Sequence, residues 1–176
     1  MKSIYIVRHC QAEGQEAVAP LTVDGLVQAD RLADLLTDSH IERIISSPYV
    51  RAKDSVAPLA GRLKLPIDID ERLVERVLCA GFVTDWQHHL EASFRDLDFC
   101  LEGGESSRAA MRRIVSVVDE LQQHSAETTL LATHGNIMAL LLKYFDDAVG
   151  FTEWQKLTNP DVYRIALTQP PRMQRL

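Results

Sequence analysis

Short apolar runs that do not alternate with polar residues limit what this chain can fold into. Ser3-Ile-Tyr-Ile-Val7 carries apolar side chains at successive positions, and Ile41 to Ile45 and Thr128 to Ala132 look similar. A strand with one wet face alternates apolar and polar residues, so runs of this kind belong to strands covered on both faces. Helices on either side of a mostly parallel sheet provide that cover. Val162 to Leu167 is a further strand, expected at an edge, and Pro170-Pro171 marks a loose tail.

Helical patterns lie between these runs. Thr22 is placed to cap a helix with Leu26, Ala29, Leu32, Leu35 and Leu36 on its inward stripe. Ser47-Pro48 starts a second, with Val50, Val56, Leu59 and Leu63 inward and a kink or early stop expected at Pro58. Ser106 caps a third, with Met111, Ile114, Val118 and Leu121 on one side, and Ile137 to Phe145 is apolar on nearly every face. Strands alternating with helices imply an α/β fold of three layers, αβα, around a mostly parallel central sheet. The segment Arg76 to Gly104 breaks this rhythm, with Trp86, His88, His89, Phe94 and Phe99 at no clean period. It is expected to be an excursion over the sheet and its site. No repeat, low-complexity tract or linker interrupts the 176 residues, so the reading is a single domain over 1–176.

The formal net charge of −6 argues against a nucleic-acid or membrane-surface partner. A small anionic substrate in a local basic pocket is compatible with it. The N-terminal run is too short for a secretory signal, and no later stretch is apolar for long enough to cross a bilayer. Cys10, Cys79 and Cys100 are odd in number, far apart and without CxxC spacing, which fits reduced thiols and a cytoplasmic location. No oligomeric state follows from the sequence.

Ligands of open α/β sheets bind beyond the carboxyl ends of the strands. Two strands here run into histidine, through Val7-Arg8-His9 and Ala132-Thr133-His134-Gly135, and a third ends in Ser46-Ser47-Pro48 with Arg51 one turn further on. Two imidazoles and two guanidinium groups can therefore meet at one rim. That set suits a phosphoryl group: arginine presents a planar fork of donors to its oxygens, and a neutral imidazole nitrogen can attack phosphorus to form a covalent intermediate. Phosphate monoesters hydrolyse so slowly in water that acceleration up to roughly 10²¹-fold is required, and positioning and charge must supply most of it.

Taken in order, Val7-Arg8-His9, Leu21-Thr22 with Gly25, Ser46-Ser47-Pro48 with Arg51-Ala52, Gly103-Gly104-Glu105-Ser106 and Thr133-His134-Gly135 resemble the signature of the histidine phosphatase superfamily, also called phosphoglycerate mutase-like. The match spans about residues 3 to 145. The resemblance implies the phosphoglycerate mutase-like fold, no metal and no cofactor. It makes His9 the nucleophile and Arg8, Arg51 and His134 the ligands of the phosphoryl oxygens. In Glu71-Arg-Leu-Val-Glu75 the second glutamate falls where such enzymes carry the proton donor, and the Gly135 and Asn136 amides are expected to add anion contacts.

Three positions depart from the family pattern. Cys10 stands where glycine is usual, Ala12 replaces a hydroxyl residue, and Gln15 replaces an asparagine while remaining able to donate to phosphate. A left-handed backbone at Cys10 would cost about 1–2 kcal/mol. His9-Cys10 also invites comparison with cysteine phosphatases, whose loop ends in arginine after five residues; here that position is Glu16, which would repel phosphate. Zinc ligand spacing such as HExxH is absent. The expected activity is hydrolysis of a small phosphorylated metabolite through phosphohistidine on His9. The alternatives are a phosphoprotein or phosphohistidine phosphatase, a mutase-type phosphotransferase, or a catalytically silent phosphate-binding regulator.

Overall fold

The computed structural model describes residues 2–176. Six strands form one sheet: β1 Ser3–Arg8, β2 Arg43–Ser46, β3 Ile67–Ile69, β4 Thr128–Thr133, β5 Asp161–Ala166 and β6 Arg172–Arg175. Their order is β3-β2-β4-β1-β5-β6, with parallel pairing from β3 through β1 and antiparallel pairing beyond it. The helices are α1 Val23–Leu36, α2 Val50–Leu63, α3 Trp86–Arg95, α4 Ser107–Gln123, α5 Gly135–Phe145 and α6 Phe151–Gln155.

The unalternating runs find cover on both faces. From β1, Tyr5 and Val7 join Leu130 and Ala132 of β4 against α1 and α2. Ile4 and Ile6 join Leu131 against α4 and α5 on the opposite face. The arrangement is the expected αβα sandwich, and α5 is buried from Gly135 to Leu142 as its composition requires. Thr22 caps α1 by accepting from the Gly25 amide at 2.9 Å, and Ser106 caps α4 by accepting from Ala109 at 3.2 Å. Gly25 itself is required, because a Cβ there would run into the Gln11 carbonyl.

Several expectations need correction. The buried stripe of α1 is Gly25, Ala29, Leu32, Ala33 and Leu36, while Leu26 and Leu35 are exposed. Gly25 is kept small by Gln11 and Leu21, and Ala29 and Ala33 share the inward face with Leu32 and Leu36 where α1 packs on α2. Helix α2 begins at Val50 and runs five residues past Pro58, so no early stop occurs. The strand Val162 to Leu167 is internal rather than an edge: β5 sits between β1 and β6. The expected loose tail supplies β6, which forms the edge. The aperiodic excursion contains α3. It is tied down where Glu105 donates its amide to the Val77 carbonyl at 2.8 Å and Ala80 donates to Glu102 at 3.0 Å.

Leu131 is fully buried in β4, between β1 and β2. Leu131→Ala should cost about 2–5 kcal/mol of stability, read as a lower urea midpoint at unchanged slope. A midpoint within experimental scatter of the parent would contradict this packing.

Candidate active site

The site begins with strand register. Arg8 pairs with Thr133 across β1 and β4, and the His9 amide extends the ladder by donating to the Thr133 carbonyl at 3.0 Å. Ser47 donates its amide to the Ala132 carbonyl at 2.9 Å, which aligns the end of β2 with the same rim. His9 and His134 therefore face each other, with ring centroids 5.2 Å apart.

His9 is held in one tautomer. Its Nδ1 lies 2.7 Å from the Cys10 carbonyl, which can only accept, so Nδ1 carries the proton. Nε2 is left with its lone pair and accepts from Arg51 Nε at 3.2 Å. Burial pushes the His9 imidazole from the usual 6.5 down to about 4; the Cys10 hydrogen bond opposes this and the Arg51 and Arg8 charges assist it. His134 shares a 2.8 Å hydrogen bond with the Ser47 hydroxyl through Nε2, while its Nδ1 is buried without a partner. Burial, then His9 and the nearby arginines, take His134 down to about 2. Both rings are neutral at pH 7.

Arg51 is 1% exposed, and its Nη1 donates to the carbonyls of Gln15 and Glu16, both at 2.9 Å. Arg8 donates Nη1 to the Leu157 carbonyl at 3.0 Å and keeps a buried Nε with no partner. Burial lowers both guanidinium groups from their ordinary values, with Glu75 the chief opposing charge in each case. Arg8 passes so close to the start of α5 that a Cβ at Gly135 would stand 3.0 Å from its Nε.

Glu75 occupies the position expected for the Gly135 and Asn136 amide contacts with an anion. Its carboxylate accepts from the Asn136 amide at 2.9 Å, from Ile137 at 2.9 Å and from Arg76 at 2.8 Å. The start of α5 thus holds an anion, and that anion is the chain's own carboxylate, so the Asn136 amide is already committed. The approach to Glu75 is fixed from β4, where the Thr133 hydroxyl donates to the Leu73 carbonyl at 2.7 Å. Arg113 holds it from α4, donating to the Arg72 carbonyl at 2.6 Å while pairing with Glu105.

A cavity of about 500 Å³ opens beside these groups. Arg8, Gln15, Glu75, Gly135 and Asn136 line its polar side, and Leu78, Trp86, Leu90 and Trp154 its apolar side. His9, His134 and Arg51 lie buried beside Arg8, and every candidate site residue named from the sequence is in this region. Residues not named as site candidates from the sequence also contribute. Ser47 holds His134, Asn159 donates Nδ2 to the His9 carbonyl at 2.8 Å, and Arg76 reaches the cavity wall from the position after Glu75. Ser47 belongs to the Ser46-Ser47-Pro48 motif and was within reach of sequence reasoning; Asn159 lies 150 residues from its partner and was not.

Cys10 fits without strain. The non-glycine residues with positive φ are His40, Lys64 and Asp85 among the described residues, so Cys10 has an ordinary backbone. Its amide donates to the Ser55 hydroxyl at 2.7 Å, its side chain packs in the core, and burial raises the thiol to about 11. Such a thiol is no nucleophile at pH 7. Among the described residues, no group of three or more His, Cys, Asp or Glu side chains is placed to hold a metal ion, and no helix is long and apolar enough to cross a membrane.

Residues 4–170 match the histidine phosphatase superfamily (branch 1). The chain belongs to that superfamily. Its fold is shared with the mycobacterial glucosyl-3-phosphoglycerate phosphatase Rv2419c, at a TM-score of 0.80 and 22% identity over 100% of this chain and 97% of the other. The adenosylcobalamin/alpha-ribazole phosphatase of Salmonella typhimurium is 24% identical over 79% of this chain and 77% of its own length. The uncharacterised protein Rv0525 of Mycobacterium tuberculosis is 32% identical over 41% of this chain, and the matched part spans 39% of that relative.

Titration of the imidazole signals by NMR should place the His9 midpoint near 4. Protons then bind the unfolded chain more readily than the folded one, so stability present above pH 6.5 is lost as pH falls toward 4. His9→Asn should flatten that slope. A His9 midpoint at 6.5 would contradict the burial and hydrogen bonding described.

Proposed function

We propose that this chain hydrolyses phosphate monoesters of small metabolites through a phosphohistidine on His9. The observation that carries this reading is the tautomer of His9. Its proton is held on Nδ1 by the Cys10 carbonyl, and its Nε2 lone pair lies against a buried guanidinium. A neutral, oriented nucleophile beside fixed positive charge is what phosphoryl transfer needs.

In the proposed cycle the phosphoryl group enters between His9 and Arg51 and replaces their 3.2 Å contact. Arg51 stays anchored on Gln15 and Glu16 and turns its Nε–H to a phosphoryl oxygen. Arg8 Nε and His134 Nδ1, both buried without partners, take further oxygens, and the Gln15 side chain and Gly135 complete the cradle. The bond from His9 Nε2 to phosphorus forms as the phosphorus–oxygen bond of the ester breaks. The ester enters as its monoanion, and its proton passes by way of the Glu75 carboxylate to the departing alkoxide. We assign the transfer to Oε2, which accepts one amide where Oε1 accepts two. Water then gives a proton to Glu75 and attacks phosphorus, and the released inorganic phosphate carries that proton away, leaving neutral His9 and the Glu75 carboxylate.

The size of the cavity supports a small ester over a phosphoprotein, since sites for small molecules occupy about 300–1,000 Å³. Two relatives bear the names of phosphatases of small phosphorylated metabolites, and only that class is extended here. The excursion 76–104 lends cavity-wall residues from a short segment, which favours hydrolysis over the water exclusion a mutase requires. With three free cysteines and a net charge of −6, we place this single unit in the cytoplasm, acting away from nucleic acid and membranes.

His9→Ala should abolish turnover of an aryl phosphate, and Glu75→Gln should lower kcat for an alkyl phosphate by about 10²–10⁴-fold. Cys10→Ser should keep most activity. A His9→Ala protein that still turned over would remove the mechanism, and inactivity of Cys10→Ser would restore a role for the thiol.

A further inference from the structure

The chain contains two tryptophans, and both line the cavity that Arg8 and Glu75 border. Trp86 opens α3 and Trp154 lies in α6, 68 positions apart, yet their rings meet edge to face with centroids 6.1 Å apart at 88°. Phe151 stacks on Trp154 at 5.4 Å and 22° and fixes that ring from behind. Trp86 remains 44% exposed, a large apolar surface left open beside a polar site. Leu78 and Leu90 extend the same wall. The position of Leu78 is set by the pairing of Val77–Ala80 with Glu102–Glu105, where Gly104 leaves room for the Leu78 carbonyl.

A second feature of the cavity is independent of the aromatic wall. Asn136 lines it at 7% exposure, and neither atom of its side-chain amide has a hydrogen-bond partner. Arg76, also on the lining, anchors Nε on the Glu105 carbonyl at 2.8 Å and Nη1 on the Ser93 hydroxyl at 2.7 Å, while Nη2 is buried without a partner. Buried polar atoms left unsatisfied are costly, and a bound molecule that supplies partners relieves them.

We propose that Trp86 and Trp154 seat the leaving alcohol, so that the protein selects phosphate esters whose alcohol carries a flat, largely apolar ring. Two rings at right angles form a corner: the ring of the alcohol stacks on one indole and turns its edge to the other, an arrangement aromatic pairs favour. The polar atoms of Asn136 and Arg76 then face substituents on that ring. This reading rests on the cavity being a phosphate-ester site.

Calorimetric binding of benzylphosphonate and methylphosphonate, neither of which can be hydrolysed, tests the wall without turnover. The unsubstituted protein should bind the benzyl compound about tenfold more tightly, and Trp86→Ala should remove most of that preference. Phe82→Ala changes a residue of the same excursion that is 90% exposed and outside the cavity lining, and it should keep the preference. Circular dichroism checks that both variants fold. Equal affinities in the unsubstituted protein, or a benzyl preference that survives Trp86→Ala, would overturn the proposal. Turnover adds a separate arm with benzyl phosphate and glycerol 3-phosphate, both of which release an alkoxide. Trp86→Ala should lower kcat/KM for the first about tenfold relative to the second, and Phe82→Ala should leave that ratio unchanged. If the unsubstituted protein hydrolyses neither ester, the phosphatase reading fails, and the phosphonate pair still decides the wall.

Discussion

The backbone ladder between β1 and β4 matches Arg8 with Thr133, and His9 prolongs it through the Thr133 carbonyl at 3.0 Å. Much of the site hangs on that register. A slip of one residue would exchange the two faces of β1, sending Ile4 and Ile6 to the side of Tyr5 and Val7. It would also part His9 from His134. Two packed helical layers hold the strand from both sides, so the site inherits its precision from the core.

The same ladder sets the electrostatics. At the end of β4 the chain turns directly into α5, with Gly135 leaving passage for Arg8 and with Glu75 seated on the first amides. The Thr133 hydroxyl ties the approach to Glu75 back to that strand end. Around this point two arginines and two histidines are drawn from water, and burial is the main force lowering all four. Several unsatisfied polar atoms cluster here: Arg8 Nε, His134 Nδ1, Arg76 Nη2 and both atoms of the Asn136 side-chain amide. Such a concentration of unpaired polar atoms costs stability in the free protein, and under the proposed function an oxyanion would satisfy the donors among them.

What was legible in the sequence follows the same physical lines. Buried strands advertise themselves by apolar runs, and ligands bind beyond strand ends, so the meeting of His9, His134, Arg8 and Arg51 at one rim was legible without coordinates. Glu75 was found by resemblance, but its seat on α5 was not, because a contact across 61 residues leaves no local trace. Asn159, beneath His9, escaped for the same reason. Pro58 misled because sequence rules weigh the lost amide more heavily than packing: Val56, Leu59 and Ala60 bury the helix on both sides of it. In α1, Leu26 and Leu35 look like core residues, yet the inner face consists of Gly25, Ala29, Leu32, Ala33 and Leu36, and those two leucines point outward. The tail after Pro171 carries no apolar run, yet it pairs with β5 as β6 and is held there by the Arg175–Asp161 ion pair and by Met173 against the core. Cys10 seemed to threaten the nucleophile's loop, but its backbone needs no left-handed turn and the core accepts its side chain.

The central claim is a covalent bond between phosphorus and Nε2 of His9. Rapid mixing of the protein with a phosphate ester, an alkaline quench that preserves phosphorus–nitrogen bonds, and mapping of the modified peptide by mass spectrometry address it directly. The account predicts one phosphoryl group, stable in base and labile in acid, on the peptide that contains His9. Turnover with that peptide unmodified throughout, or with phosphate carried stably on another side chain, would contradict it.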